Sequence, residues 1–351
     1  MKHLAILVLL FFGVVSCKSE ITQPDKKFST IEIEHLIQDS LLNVRALEVY
    51  GDSFACFATS KGEIGAFSVD NGIFELEFLV QQKYDSIIPN FRSIAANSEG
   101  GFALGIGNPA LLFSVETSNE RIVYQDNHPK AFYDSMEFWN DNEGIAIGDP
   151  TDDCISVIIT RDAGETWNKL SCDVLPKIKD GEAAFAASDT NIAIVGDHTW
   201  VATGGKSSRI LYSPDKGNTW KVYDTPIIQG KETTGMYSID FYDKKNGFAI
   251  GGDYTKPKDT IANKIRTSDG GKTWQVVADG KSPGYRSCVQ YVPNSDAKKL
   301  VAVGFKGIDY SNDAGNTWEH LSDEGFYTIR FLNDSTAYAA GNGRISKLSF
   351  K

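Results

Sequence analysis

The octet TRDAGETW, Thr160 to Trp167, decides how the rest of the chain is read. It returns as SPDKGNTW (Ser213 to Trp220), TSDGGKTW (Thr267 to Trp274) and SNDAGNTW (Ser311 to Trp318). The shared pattern is Ser/Thr-x-Asp-x-Gly-x-Thr-Trp. Its recurrence every ~40 to 55 residues has the period of one four-stranded blade in a repeat architecture. A β-branched run precedes the octet, Ile155 to Ile159 in the first case, and a strand-like run such as Gln275-Val276-Val277 follows it. Each octet therefore reads as a hairpin loop. Its Asp accepts bonds from nearby backbone amides, its Gly takes a positive φ, and its Trp opens the next strand as an apolar anchor. Asp162, Trp167, Asp215, Trp220, Asp269, Trp274, Asp313 and Trp318 are expected to be structural for that reason.

Between octets a second pattern repeats. An alternating segment leads to an apolar strand ending in Gly, as in Tyr237–Phe241 followed by Gly247–Gly251. The pairs Tyr285–Val289 with Leu300–Gly304, and Tyr327–Phe331 with Ala337–Gly341, match it. Upstream come Val44–Leu47, Phe91–Ala95, Tyr133–Phe138 and Ala183–Ala186, each with its own apolar partner. The count is seven units, so the expected fold is all-β: a seven-bladed β-propeller of four-stranded antiparallel blades. The octet is degenerate in the first two units, where Ser68–Gly72 keeps only part of it. The last unit has three strands before Lys351, and Ser29–Glu34 is expected to close it from the N-terminus, removing an open edge.

Met1–Cys17 reads as a signal peptide, because the apolar run Leu4–Val15 is too short to span a bilayer comfortably. Ser16-Cys17 resembles the lipobox of bacterial lipoproteins; the resemblance implies that Cys17 is lipidated and becomes the first mature residue. Lys18–Lys27 is polar and reads as a flexible tether, leaving Phe28–Lys351 as one domain. The expected location is the bacterial cell envelope, periplasmic or at the outer-membrane surface, with a membrane contact through lipid and a monomeric protein. A net charge of −11 argues against nucleic acid as a partner. Cys56 and Cys288 sit in apolar runs and read as buried thiols, while the spacing of Cys154 and Cys172 leaves a bridge or two thiols open. No metal or cofactor is expected: the five His are scattered, and no Gly-x-Gly-x-x-Gly opens a helix.

In a closed wheel the first strand of each unit lines the axis. The same position across the units carries Arg45, Arg92, Asp134, Glu182, Tyr237, Arg286 and Tyr327, more polar than packing alone selects. Loops leaving the second strands add Asp149, Asp253 and Arg209. Arg45, Arg92, Arg209, Arg286, Asp149 and Asp253 are the candidate ligand-binding residues, and Asp134, Glu182, Tyr237 and Tyr327 the candidate catalytic ones. Inter-blade ion pairs and ordinary Asp-Gly turns explain the same residues without a ligand.

The octets match the Asp-box, or BNR repeat, of sialidases and related propellers. The seven units, with Gly148-Asp149-Pro150, Gly251-Gly252-Asp253-Tyr254 and Gly284-Tyr285-Arg286-Ser287, resemble the photosystem II stability/assembly factor-like family over Phe28 to Lys351. That resemblance implies a non-catalytic binding or assembly scaffold for a protein or glycan partner, or for a carboxylate-bearing ligand at the channel mouth. The alternative is a sialidase-like glycoside hydrolase or lyase, with an arginine clamp on a substrate carboxylate and Tyr, Glu and Asp as the reacting groups. The Arg-Ile-Pro motif of sialidases is absent, since Arg92 precedes Ser93-Ile94 and Arg286 precedes Ser287-Cys288. A purely structural envelope protein, its channel filled by ion pairs, is the third reading.

Overall fold

The computed structural model describes residues 27–51, 54–116 and 119–351. Cys17, the apolar run before it and the tether as far as residue 26 lie outside them. Among the described residues every regular element is a strand, and the strands form six antiparallel sheets. One sheet has seven strands because a single long strand, Ile31–Tyr50, serves two neighbourhoods. Its first half pairs with the C-terminal strand Asn342–Phe350, from Ile31 opposite Phe350 to Gln38 opposite Arg344. Its second half, Val44 to Tyr50, pairs with Phe54–Thr59. The first and last described strands are thus sealed into one sheet, which leaves neither with an open edge.

The innermost strands touch in cyclic order. Ile31–Tyr50 meets Phe91–Ala96, then come Tyr133–Asn140, Ile192–Val195, Thr234–Phe241, Cys288–Tyr291 and Thr328–Phe331, and the last returns to Ile31–Tyr50. Second strands such as Gly247–Asp253 are buried along their whole length. A strand in mid-sheet, covered on both faces by neighbouring sheets, reads as a continuous apolar run instead of an alternation. The core is accordingly divided into clusters lying between sheets. Ile145, Ile147 and Ile159 pack on Val201 and Leu211 of the next sheet, and Cys288, Val301 and Tyr310 pack on Ile329, Ala339 and Leu348. Cys56 and Cys288 are free, buried thiols in these clusters, whereas Cys154 and Cys172 form a disulfide. That cross-link closes a segment of 18 residues, worth about 3 kcal/mol on the loop-entropy model.

All four octets fold alike. Thr160 donates its hydroxyl to Asp162 Oδ1 at 2.8 Å and accepts the Gly164 amide at 2.9 Å. Asp162 Oδ1 accepts the Thr166 amide at 2.9 Å, and Oδ2 accepts the Thr166 hydroxyl at 2.6 Å. Asp215, Asp269 and Asp313 repeat those bonds with Thr219, Thr273 and Thr317. The two central residues are left-handed, Ala163 at φ 61° and Gly164 at φ 92°, which gives a turn whose twist suits a hairpin. The Gly also meets the preceding sheet. A Cβ on Gly164 would lie 2.2 Å from the Phe102 ring, and one on Gly315 2.2 Å from Phe248. Trp220, Trp274 and Trp318 donate their indole N–H back to the carbonyl of their own octet Gly. Trp167 instead lies edge-on to Phe102 and Phe138.

One unit departs from the sequence reading. Ala183–Ala186 was expected as an innermost strand, with the run ending at Gly196 as its partner. The innermost strand is Ile192–Val195, its partners are His198–Ala202, Arg209–Ser213 and Lys221–Asp224, and residues 183–191 do something else.

Candidate functional site

Residues 183–191 run down the axis and plug it. The Ala187 carbonyl accepts from Arg45 Nη1 at 2.8 Å and the Ala186 carbonyl from Arg92 Nη1 at 3.2 Å. Ser188 donates to the Ser287 carbonyl at 2.6 Å and accepts Thr328 on its own carbonyl at 2.9 Å. The Asp189 carboxylate receives the amides of Ile94 and Met136 at 2.8 and 3.1 Å, and Arg330 Nη2 reaches its carbonyl at 3.1 Å. Thr190 bonds Ser238 through its hydroxyl at 2.8 Å and accepts the Ile239 amide on its carbonyl at 2.8 Å. A backbone laid along a polar axis must satisfy its donors and acceptors on the surrounding strands, and the carbonyls of Ala186, Ala187, Ser188, Asp189 and Thr190 are met that way.

Above the plug lies an open cavity of about 500 Å³, floored by Ala183–Ala187 and walled by Arg45, Arg92, Tyr237, Tyr254, Tyr285 and Tyr327. Three of the wall residues stand on β-bulges. The register slips by one residue at Arg45, at Arg92 and at Tyr237, so each is an extra residue in its strand. A bulge re-aims the side chain it carries, which explains why polar groups at the head of a buried strand face the axis. The two sides of the mouth differ in character. Arg45 lies 3.8 Å above the Tyr327 ring, and Arg92 is braced by Asn90 at 3.1 Å. Opposite them Phe185 of the plug stacks on Tyr237 at 4.1 Å, and Tyr285 meets Tyr237 edge-on at 4.8 Å. Burial lowers the guanidinium of Arg45, and lowers that of Arg92 to about 10, with the Arg45 charge beside it adding to the effect. Asp149 lines the same cavity and accepts the Ala184 amide at 2.9 Å; burial lifts it to about 6.

The cavity gathers Arg45, Arg92, Asp149, Tyr237 and Tyr327, but not the other candidates. Arg286 turns away from the axis and forks onto Asp309 at 2.6 and 2.5 Å. Its neighbours Tyr285 and Ser287 take the axial positions, because adjacent residues in an extended chain face opposite ways. Arg209 is buried against Glu182, to which it donates three bonds between 2.6 and 3.1 Å, so both are spent in one ion pair at the root of the plug. Asp253 caps a local turn, accepting the Thr255 amide at 3.0 Å and hydroxyl at 2.6 Å. Asp134 is fully buried at another bulge; the Ala186 amide approaches it without completing a bond, and burial raises it well above the usual carboxylate range. Sequence reasoning missed Phe185, Tyr254, Tyr285 and Phe305 in the wall. Tyr285 was one residue away from the position chosen. Phe185 carried no signal, since nothing local marks a plug.

The other end of the same strands is acidic. Glu137, Asp189 and Asp240 surround Arg330 in a cavity of about 130 Å³, and Arg330 Nε meets Glu48 at 3.1 Å. Among the described residues no group of three or more His, Cys, Asp and Glu is placed to hold a metal ion.

No family model matches this chain, and no curated protein matches it in sequence. Solved structures do. YCF48 bound to a D1 peptide aligns with a TM-score of 0.63 at 13% identity, over 93% of this chain and 99% of that one. YCF48 from Cyanidioschyzon merolae aligns at 0.61 and 12% identity, over 92% and 98%. The WD40 repeats of RRP9 align at 0.62 and 12% identity, again over 92% and 98%. At such identities the likeness speaks for architecture alone, and that architecture is the β-propeller.

Proposed function

We propose that this protein is a binding scaffold: a seven-bladed propeller held at the cell envelope through lipid on Cys17, whose channel mouth receives a carboxylate-bearing segment of a protein partner. The observation that carries the reading is the meeting of Arg45 and Arg92 above the plug. Among the described residues both spend bonds on neutral groups, the plug carbonyls and Asn90, and neither is ion-paired. A desolvated guanidinium facing a half-open cavity gains most from a carboxylate, which it can hold by two parallel bonds. The tyrosine wall suits the flat or apolar side chains flanking that carboxylate. YCF48, of similar fold, has been solved with a peptide bound. Two features support seven blades: the long strand changes partners between Asn43 and Val44, and the innermost strands contact one another in a cycle of seven.

Binding is favoured over glycoside hydrolysis with Glu182, Asp134 and Tyr237 as the reacting groups by where those three lie. Glu182 is consumed by Arg209, and Asp134 is sealed under the floor. The Tyr237 hydroxyl donates to the Thr233 carbonyl at 2.9 Å, and burial pushes it far above the ordinary phenol range, the wrong direction for a nucleophile.

The test is an anisotropy screen of peptides carrying Asp or Glu against the same peptides carrying Asn or Gln. Arg45→Ala and Arg92→Ala should each weaken the best acidic ligand about tenfold or more, the worth of a lost charge-assisted bond. Ligands that ignore the carboxylate, or bind both variants as they bind the parent, sink the proposal. The anchor is tested separately: Cys17→Ala should leave the membrane fraction, and an unaltered distribution rules the lipid out.

A further inference from the structure

The geometry points to a second binding surface, far in kind from the channel mouth. The outer strand of the first sheet, Ile73–Gln81, is an open edge for an extended, basic segment of a protein partner, which adds to the sheet as one more strand.

Outer strands that follow an octet are short. Asn168–Lys169 and Gln275–Val276 have 2 residues each, Lys221–Asp224 and Glu319–Ser322 have 4. Ile73–Gln81 has 9, and among the described residues its only sheet neighbour is Glu63–Asp70. A long edge of unpaired backbone donors and acceptors is a template for another strand, and natural edges are usually kept short or charged to prevent it. Here the edge is apolar as well: Ile73 is 71% exposed, Leu79 49% and Leu76 44%. Of the eleven large apolar side chains exposed among the described residues, seven lie between Leu41 and Ile88.

The seam beside this strand is also unfilled. Elsewhere an octet loop seats its Gly on the sheet before it, as Gly164 does on Phe102 and Gly271 on Trp200. The second sheet has no octet; Ala110–Glu116 pairs with Asn119–Asp126, with Glu116 opposite Asn119. A groove of about 430 Å³ remains between the first and second sheets, lined by Tyr50, Phe54, Phe78 and Val115. Phe78 belongs to the edge strand, so side chains of an added strand that point the same way enter the groove.

Charge selects the occupant. The only charged residues on the strand are Glu75 and Glu77, both exposed, and Glu99 stands at the groove, where Glu165 is already paired with Arg121. A second copy of this chain, paired antiparallel about Leu76, would set Glu75 against Glu77 of its partner, and like charges directly opposite destabilise a strand pair. A segment alternating apolar residues with Lys or Arg meets both the backbone and the charge. This is recognition by strand addition, with backbone bonds giving affinity and alternate side chains giving specificity.

The probe is a labelled ten-residue peptide alternating Val with Lys, titrated into the full chain, beside a Val/Glu version and a version with a central Pro. The Lys peptide should bind, weaken as salt rises, and protect the amides of residues 73–81 from hydrogen exchange. The Glu and Pro versions should leave the exchange of residues 73–81 unchanged. Charge reversal by E75K/E77K should weaken the Lys peptide about tenfold and admit the Glu peptide, read as protection of residues 73–81. Equal protection of residues 73–81 by all three peptides, or a Lys peptide that protects other residues instead, overturns the inference. So does a dimer in sedimentation that Leu79→Lys returns to monomer, which assigns the edge to a second copy. Protection of 73–81 in the peptide-free chain that vanishes on deleting residues 1–26 overturns it in favour of the chain's own N-terminus.

Discussion

The sheets from Tyr133 to Ser322 and those from Val44 to Asp126 close their seams by different means. In the first group an octet loop locks on itself and then onto its neighbour, so the strand after it needs only 2 to 4 residues. In the second the hairpins are tight, the outer strands run to 9 and 8 residues, and apolar side chains stay exposed. The plug springs from the octet-bearing half, between Asn168–Lys169 and Ile192–Val195, and reaches across to Arg45 and Arg92 of the other. The contrast teaches that one half of the wheel is fastened by local turn chemistry and the other by whatever packs on it, including the plug.

That contrast can be broken hardest at the root of the plug. Arg209→Ala leaves Glu182 buried without its partner and should cost about 3–5 kcal/mol in denaturant unfolding. A loss below 1 kcal/mol would mean the plug is not anchored there. Next comes a matched pair of glycines. Gly164→Ala combines a left-handed backbone at φ 92° with a clash against Phe102, and should cost about 3 kcal/mol or more. Gly72→Ala, at φ 80° in the first sheet with open space around it, pays only the backbone part, about 1–2 kcal/mol. Equal costs would erase the distinction between docked and free loops. A gentler version uses the acids: Asp269→Ala, which strips three bonds from Thr267 and Thr273, should cost about 1–3 kcal/mol. Asp70→Ala, at the degenerate octet, should stay within about 0.5 kcal/mol.

A further contrast is the pH dependence at the acidic end of the axis. Desolvation there raises Glu137 to about 8, with the nearby Glu48 charge adding to it, and raises Asp240 to about 6. A carboxyl whose folded value exceeds its unfolded one binds more protons when folded. Its stabilisation is complete below about pH 4 and is lost as the pH rises through the folded values. Melting temperature should therefore fall between pH 5 and pH 8, and Glu137→Gln should flatten the upper part of that decline. A melting temperature that climbs over this range contradicts the burial of these carboxyls.

How far the sequence could be read follows from the range of each interaction. The octet's bonds join residues no more than four apart, so its pattern is written in eight letters. Alternation and apolar runs likewise fix strands locally, and they made the all-β architecture legible. The mouth was legible only in part. Arg45, Arg92 and Tyr237 were found because their strands could be aligned, but their aim depends on bulges set by the facing strand. Arg286 was misplaced by the same logic, a single-residue error of phase that sends a side chain to the other face. Arg209 and Glu182, 27 residues apart, gave no sign of being partners.

By itself the amino-acid order determined that this chain is a succession of small antiparallel sheets, since period-two burial and hairpin chemistry operate between near neighbours. Only the tertiary structure decided what stands at the hub. Ala183–Ala186 reads as another strand until the ring closes around residues 183–191, and only then do the other inner strands meet the plug with donors and acceptors alike. Satisfying a buried backbone is a demand that the whole ring answers together, and no single segment records it.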